Sequence, residues 1–356
     1  HVFPQIHFAD FTRFPGVNMV AVDGGGSAED PIHGRGGSHS VANQREVFHL
    51  LQQVILPMDK DPEFQRALSN AHSGDAKGGS IMMAVGEMAR FKATVCVIND
   101  AASKKAFTIA ENLLRAGVDR LHTVMVATSA TEVPRGQKVL DLFQPDDKLL
   151  ELVRDVRPAD NFGGGNPVVA AIENYVTDVG SNLVIFGSET LTKENPVGSI
   201  AMMAIKSLPQ NILVCKRNVN WAPPPAPGQK DKPRNFMVWA NHHDSYTLDL
   251  ALDFLRPSVD TLTLLHISVQ EGDAAKVEAV QGERILGRME TSAVRRGVRP
   301  KKVLLSNKNP GRAIVNQARD SKIDMIVIRD PFRSKMVNPV VNDVLAATSS
   351  LVLLHR

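Results

Sequence analysis

Few residues in this chain have types and spacings suited to chemistry. His242-His243-Asp244 has the composition of a metal cluster. Adjacent histidines in an extended loop point apart, however, and no third ligand is indicated, so surface histidines suit the pattern better. Gly187-Ser188-Glu189 sets a hydroxyl beside a carboxylate without a recognisable base partner, which leaves nucleophilic catalysis unsupported. Cys96 and Cys215 sit inside apolar β-like runs, VCV and ILVC, as buried reduced thiols do; a disulfide framework is not expected. The sequence holds no Gly-x-Ser-x-Gly elbow, Walker loop, His-Glu-x-x-His or Cys-x-x-Cys. The expectation is a protein without catalytic activity and without a metal.

Bulk properties narrow the partners. The chain has 356 residues, enough for two ordinary domains with additional segments. Hydrophobic residues make up 43% and charged residues 22%, so sizeable cores can form. Basic and acidic residues nearly balance at +3, which leaves no electrostatic footprint for nucleic acid or an anionic membrane. Two Trp and two Tyr leave little for base stacking. No apolar run reaches the roughly 18 residues that span a bilayer. A cytoplasmic location is expected, within a cytoskeletal or other large assembly. The chain starts at His1 without a methionine, so an organelle-targeting peptide stays open.

The elements that must position any site emerge from periodicity. Residues 1–40 are rich in Gly, Pro, Ser and His and lack a sustained period, as an extended arm would. Phe3, Phe8, Phe11 and Phe14 could anchor that arm in protein partners. Residues 41–91 form a helical extension, with helices expected over Val41–Ile55 and Ile81–Phe91. From Lys92 strands and helices alternate, including strands at Ala93–Ile98, His122–Ala127, Leu183–Phe186 and Ile212–Cys215. Helices are expected over Ser103–Arg115, near Asp146–Val153, from Asn166-Pro167 and from about Pro196. Such alternation implies parallel sheets with helices on both faces. The proline-rich Arg217–Arg234 reads as a stiff, solvated connector. The pattern then recurs over 235–356. Asn166-Pro167 is matched by Asn309-Pro310, and Asn195-Pro196-Val197 by Asn338-Pro339-Val340, at a shift of about 143 residues. The expected divisions are therefore 1–40, 41–91, 92–216, 217–234 and 235–356.

Residues Asn182 to Lys216, NLVIFGSETLTKENPVGSIAMMAIKSLPQNILVCK, resemble the closing third of a universal stress protein domain. TVCVINDAASKKAFTIAENLL resembles that family's first strand and helix. The resemblance covers roughly 92–217 and, through the repeat, 235–356. It implies two tandem Rossmann-like (adenine nucleotide α-hydrolase-like) α/β domains, each with a five-stranded parallel sheet. The two are expected to pair through their last strands, Ile212–Cys215 and Leu351–Leu354. Members that bind ATP use a Gly-x2-Gly-x9-Gly-Ser/Thr loop, with an acid at the end of strand one for the adenosine part. On that pattern Gly187, Ser188, Gly198 and Ser199 fit the outer positions, and Asn99 and Asp100 fall near the acid. The departures are plain. Thr190 stands at the middle glycine, the loop is two residues short, and Asp100 lies one or two residues late. Gly163, Gly164 and Gly165 could add backbone surface nearby, although all these glycines equally suit a tight turn. In the second copy Arg329-Asp330-Pro331 and Val341-Asn342 replace the glycine pairs, and Asn241 replaces the acid. Arg329, Arg333 and Lys335 could grip phosphate by charge, or form a solvated basic loop. Two functions follow as expectations: a structural or scaffolding component with degenerate sites and no cofactor, or an ATP- or AMP-binding stress protein using the first copy alone.

Overall fold

The computed structural model describes residues 91–115, 118–145, 150–161, 166–189, 197–219, 221, 232–240, 245–270, 273–330 and 337–356. The arm, the helix expected over Val41–Ile55, all but the last residue of Ile81–Phe91, Gly163–Gly165, and most of the connector lie outside them. The first half runs β1 (Lys92–Cys96), α1 (Ala101–Leu113), β2 (Arg120–Ala127), α2 (Val133–Leu140), β3 (Glu151–Pro158), α3 (Pro167–Asp178), β4 (Leu183–Ser188), α4 (Ser199–Ser207) and β5 (Asn211–Lys216). The second runs β6 (Asn235–Trp239), α5 (Ser245–Phe254), β7 (Thr261–Ser268), α6 (Asp273–Arg295), β8 (Lys301–Ser306), α7 (Pro310–Asp320), β9 (Met325–Arg329), α8 (Pro339–Ala347) and β10 (Leu351–His355). Among the described residues no helix is long and apolar enough to cross a membrane.

The strands form one sheet in the order β3-β2-β1-β4-β5-β10-β9-β6-β7-β8. Within each half the five strands are parallel and follow the same order. Their near-continuous apolar runs are explained by burial on both faces. One core packs α1, α5 and α6 on the sheet and the other packs α3, α4, α7 and α8. Local chemistry sets the helix starts. Asn166 accepts from Val168 N and Val169 N, Asn309 from Arg312 N, and Asn338 from Val340 N, each followed by proline.

One expected element is corrected. Of the helix expected near Asp146–Val153, residues 146–149 lie outside the described ones, while Glu151, Leu152 and Val153 begin β3; the helix before it is α2, with proline in its first turn. Leu150, Leu152 and Val153 imitate helical spacing, yet β3 pairs with β2 along its whole length, from Arg120↔Glu151 to Ala127↔Pro158. As an edge strand it carries exposed and charged residues, which hid its period. The connector also differs from a wholly solvated one. Val219, Trp221 and Arg234 are buried, and the Arg234 guanidinium lies 5.2 Å over the Trp221 ring.

The halves meet where β5 and β10 pair antiparallel, with Leu213 opposite Leu353. Lys216 and Arg356 each stand three residues past that pair. Each reaches into the other half. The Lys216 ammonium is buried and, among the described residues, bonded to no carboxylate; it donates to Thr348 O at 2.8 Å and Ala346 O at 3.5 Å, at the end of α8. Arg356 donates to Ile205 O near the end of α4. Helix C-terminal carbonyls carry partial negative charge and otherwise lack partners, so a cation there satisfies both. On the opposite side Phe91 stacks on Phe254 at 4.8 Å.

A second duplicated device ties each half at the start of its first strand. Asp119 accepts from Phe91 N, Arg115 N and the Arg115 guanidinium. Asp260 accepts from Arg234 N and Arg256 N, and from both guanidinium groups at 2.8 and 2.7 Å. The words Leu114-Arg115-x-x-Val118-Asp119 and Leu255-Arg256-x-x-Val259-Asp260 carry it.

Asp260→Asn is expected to cost about 3 kcal/mol at pH 7, read as a lower urea midpoint, because two guanidinium groups lose a buried counter-charge. Burial alone would raise the Asp260 carboxyl, but the hydrogen bonds from Arg256 and Arg234 overcome it and hold it at about 2. Its stabilisation is full above the ordinary carboxylate range and fades as pH falls through about 2, where variant and parent should converge. Lys216 gives a slope of the same sign at higher pH for the opposite reason, since burial here disfavours the charged form. Burial pushes its pKa down from 10.5 to about 8, so between those values the unfolded chain binds more protons and stability climbs with pH. Lys216→Met should flatten that climb in thermal melts, and an unchanged slope would contradict the buried ammonium.

Candidate functional site

In a doubly wound sheet ligands bind outside the carboxyl ends of the strands, where the strand order reverses. In the first half that point lies between β1 and β4, which pair from Ala93↔Leu183 to Cys96↔Phe186. The loop after β1 carries the two candidates for an adenosine contact. Ile98 and Asn99 are exposed. Asp100 caps α1, its carboxylate accepting from Ser103 N at 2.6 Å, while Ser103 Oγ accepts from Ile98 N at 3.0 Å. The two bonds lock the loop against the helix.

The phosphate-loop candidates on β4 also have structural occupations. A Cβ at Gly187 would lie 2.5 Å from the Ala102 carbonyl and 2.6 Å from Ser103 N. Backbone cannot yield as a side chain can, so glycine is required there for α1 to rest on β4. Ser188 is buried, and its hydroxyl donates to Glu189 O at 3.3 Å. Gly198 caps α4 with φ +79°, a left-handed conformation that favours glycine, and as glycine it brings no capping side chain of its own. Ser199 is exposed at the first helical position. The fold thus brings Asp100 and Gly187 together against the first turn of α1, while Gly198 and Ser199 belong to the start of α4. The intervening residues 190–196 lie outside the described ones.

In the second half the corresponding ends hold groups of the chain itself. Arg329 is exposed, but Asp330 is buried and paired with the Arg356 guanidinium at 3.1 Å. Burial raises the Asp330 carboxyl against the pull of Arg356. Asn338 caps α8. At the end of β7, two strands from β9, Glu278 of α6 accepts from Ser268 Oγ at 2.7 Å and from Val269 N and Gln270 N, each at 3.0 Å. Those bonds, led by the one from Ser268, hold its carboxyl below the ordinary range. An anion brought to that loop would meet a resident carboxylate. Asn241, His242-His243-Asp244, Pro331, Arg333 and Lys335 lie outside the described residues. Among the described residues no group of three His, Cys, Asp or Glu could hold a metal. Cys96 is half-buried and Cys215 buried, and burial pushes both thiols far above their ordinary range.

Lys216 and Arg356 were not legible as site residues. In the chain they look like polar ends of strands, and only the pairing of the halves brings them to the strand ends of the sheet. The repeated basic position after two apolar strands, ILVCK and LVLLHR, is the one signal that pointed to them.

No family model and no curated protein matches the sequence. Solved structures do. A universal stress protein from Archaeoglobus fulgidus DSM 4304 superposes with a TM-score of 0.52 at 14% identity, over 75% of this chain and 98% of that one. A putative universal stress protein from Pseudomonas aeruginosa UCBPP-PA14 superposes with a TM-score of 0.50 at 12% identity, over 74% and 92%. At such identities the likeness speaks for fold alone. The described part of the chain has the α/β fold of the universal stress proteins.

Proposed function

We propose that the chain is a non-catalytic structural or scaffolding component of a larger protein assembly, with the residues 1–40 arm as its docking segment. One observation carries this reading: the polar groups at the strand ends are engaged by the fold itself. Asp100 holds α1, Gly187 seats it, Asp330 pairs with Arg356, and Glu278 fills the backbone donors after β7. A sheet whose ligand edge is closed by its own side chains keeps shape and solubility without requiring a substrate. Deleting residues 1–40 is expected to move the protein from the large-complex fraction to the free pool in sedimentation, with the melting temperature of the remainder unchanged. Co-fractionation that survives the deletion would sink the arm's role.

A second reading rests on one contrast. The N-cap of α8 is Asn338, whose side chain bonds the helix, whereas the N-cap of α4 is Gly198 in the left-handed conformation, where backbone can be approached closely. Helix N-termini favour anions, and this one could hold the phosphates of ATP or AMP in the first half only. The scaffold reading expects no thermal shift with either nucleotide at about 1 mM, whereas a site a hundredfold below that concentration would add about 2.7 kcal/mol. A shift that Gly198→Val abolishes would establish the second reading instead.

A further inference from the structure

α6 is where the two halves diverge most. It has 23 residues, against 8 in α2 of the first half. Its inner face is ordinary core, with Ile285, Leu286, Met289 and Ala293 buried against the sheet. Gly282 belongs to that face, since a Cβ there would lie 2.4 Å from the His266 ring.

The outer face is unusual for a solvated helix. Val277, Val280 and Val294 are 71%, 55% and 49% exposed. Steps of three and four residues join Val277, Val280, Arg284, Arg288, Thr291 and Arg295 into one stripe, about 27 Å long. Every charge on that stripe is positive. Of the four acids of α6, Asp273 opens the helix one turn before Val277, Glu278 is bound to the loop after β7, Glu290 pairs with Lys302 at 2.7 Å, and Glu283 flanks the stripe. Gly287 lies on the outer face, seven residues from both Val280 and Val294. A Cβ there would meet nothing within 4 Å, so the chain's own packing does not need it. A mid-helix glycine nevertheless destabilises a helix relative to alanine. Apolar positions at helical spacing, a notch for close approach and a one-signed charge pattern together describe a seat for another helix.

We propose that the outer face of α6 docks an acidic amphipathic helix of a partner protein. Its apolar side chains lie on Val277, Val280 and Val294, its backbone approaches at Gly287, and its carboxylates meet Arg284 and Arg295. Charge complementarity selects the acidic partner. The stripe has valines where membrane-surface helices carry Trp, Phe and Leu, and its opposite face is locked to the sheet, which disfavours a lipid surface. The proposal rests on the scaffold reading and adds a surface distinct from the arm.

The test uses the full chain and a labelled helical peptide of about 20 residues, with leucines at helical spacing flanked by glutamates. Its controls are the same peptide with lysines for the glutamates, and phosphatidylserine vesicles. The acidic peptide should bind, weaken as salt rises, and lose at least tenfold in affinity for the Arg284→Glu/Arg295→Glu variant, whose changes lie on the surface. Gly287→Ala should raise the melting temperature of the free protein while weakening the peptide at least threefold. No binding at concentrations on the order of 100 μM overturns the proposal, as does equal affinity for both peptides or for parent and double variant. Binding to vesicles alone assigns the face to a membrane, and self-association lost in the double variant assigns it to a second copy; either result overturns the proposal. The double variant keeps the arm, so the deletion experiment on residues 1–40 stands or falls separately.

Discussion

The antiparallel pairing of β5 with β10 is the contact on which the rest of the structure depends. Each strand would otherwise be the bare edge of a parallel five-stranded sheet, its backbone groups unpaired beside apolar side chains such as Ile212, Leu213, Leu353 and Leu354. Unpaired apolar edges invite aggregation, and closing two of them against each other removes both at once. The same crossing places a cation from each half on the helix carbonyls of the other. A half on its own would keep a lysine without the carbonyls that make its burial tolerable. The two copies are therefore one folding unit in chemistry as well as in outline.

That seam also shapes the strand ends. Arginine and lysine occupy equivalent places but behave differently. The Arg356 fork reaches Asp330 within its own half and Ile205 O across the seam, so it closes the end of β9 while capping α4. Among the described residues the Lys216 ammonium bonds only to carbonyls of the far helix, and the Ser188 hydroxyl on the paired strand position turns to its own loop. The asymmetry between the copies thus extends beyond the loop glycines. It is built into the residue that crosses the interface.

Much of the fold was legible because its signals are local. Asn followed by Pro at Asn166, Asn309 and Asn338 is a cap read within one turn, and runs such as LVIF and MIVI announce strands buried on both faces. Edge strand β3 escaped, since its exposed charges and Leu152 and Val153 erase the alternation that an inner strand would show. The candidate site was legible as a place but not as a set of roles. Asn99 and Asp100 do follow β1, and Gly187 and Ser188 do end β4, where the strand order reverses. What the spacing could not reveal was how many bonds those groups had already made within the fold.

Gly187 shows why. A glycine at the end of a strand permits two approaches, one by a ligand phosphate and one by a neighbouring helix, and its presence does not distinguish them. Here the helix makes the approach, with Ala102 and Ser103 backbone occupying the space a Cβ would need. The requirement exists without any ligand. At the matching place in the second half stands Arg329, exposed and still within β9, so that strand end tolerates a large side chain. The first half has glycine where backbone packs on backbone, and the second half has an exposed arginine at the matching strand position. Packing alone is enough to explain a glycine at position 187, and its presence adds no weight to nucleotide binding by itself.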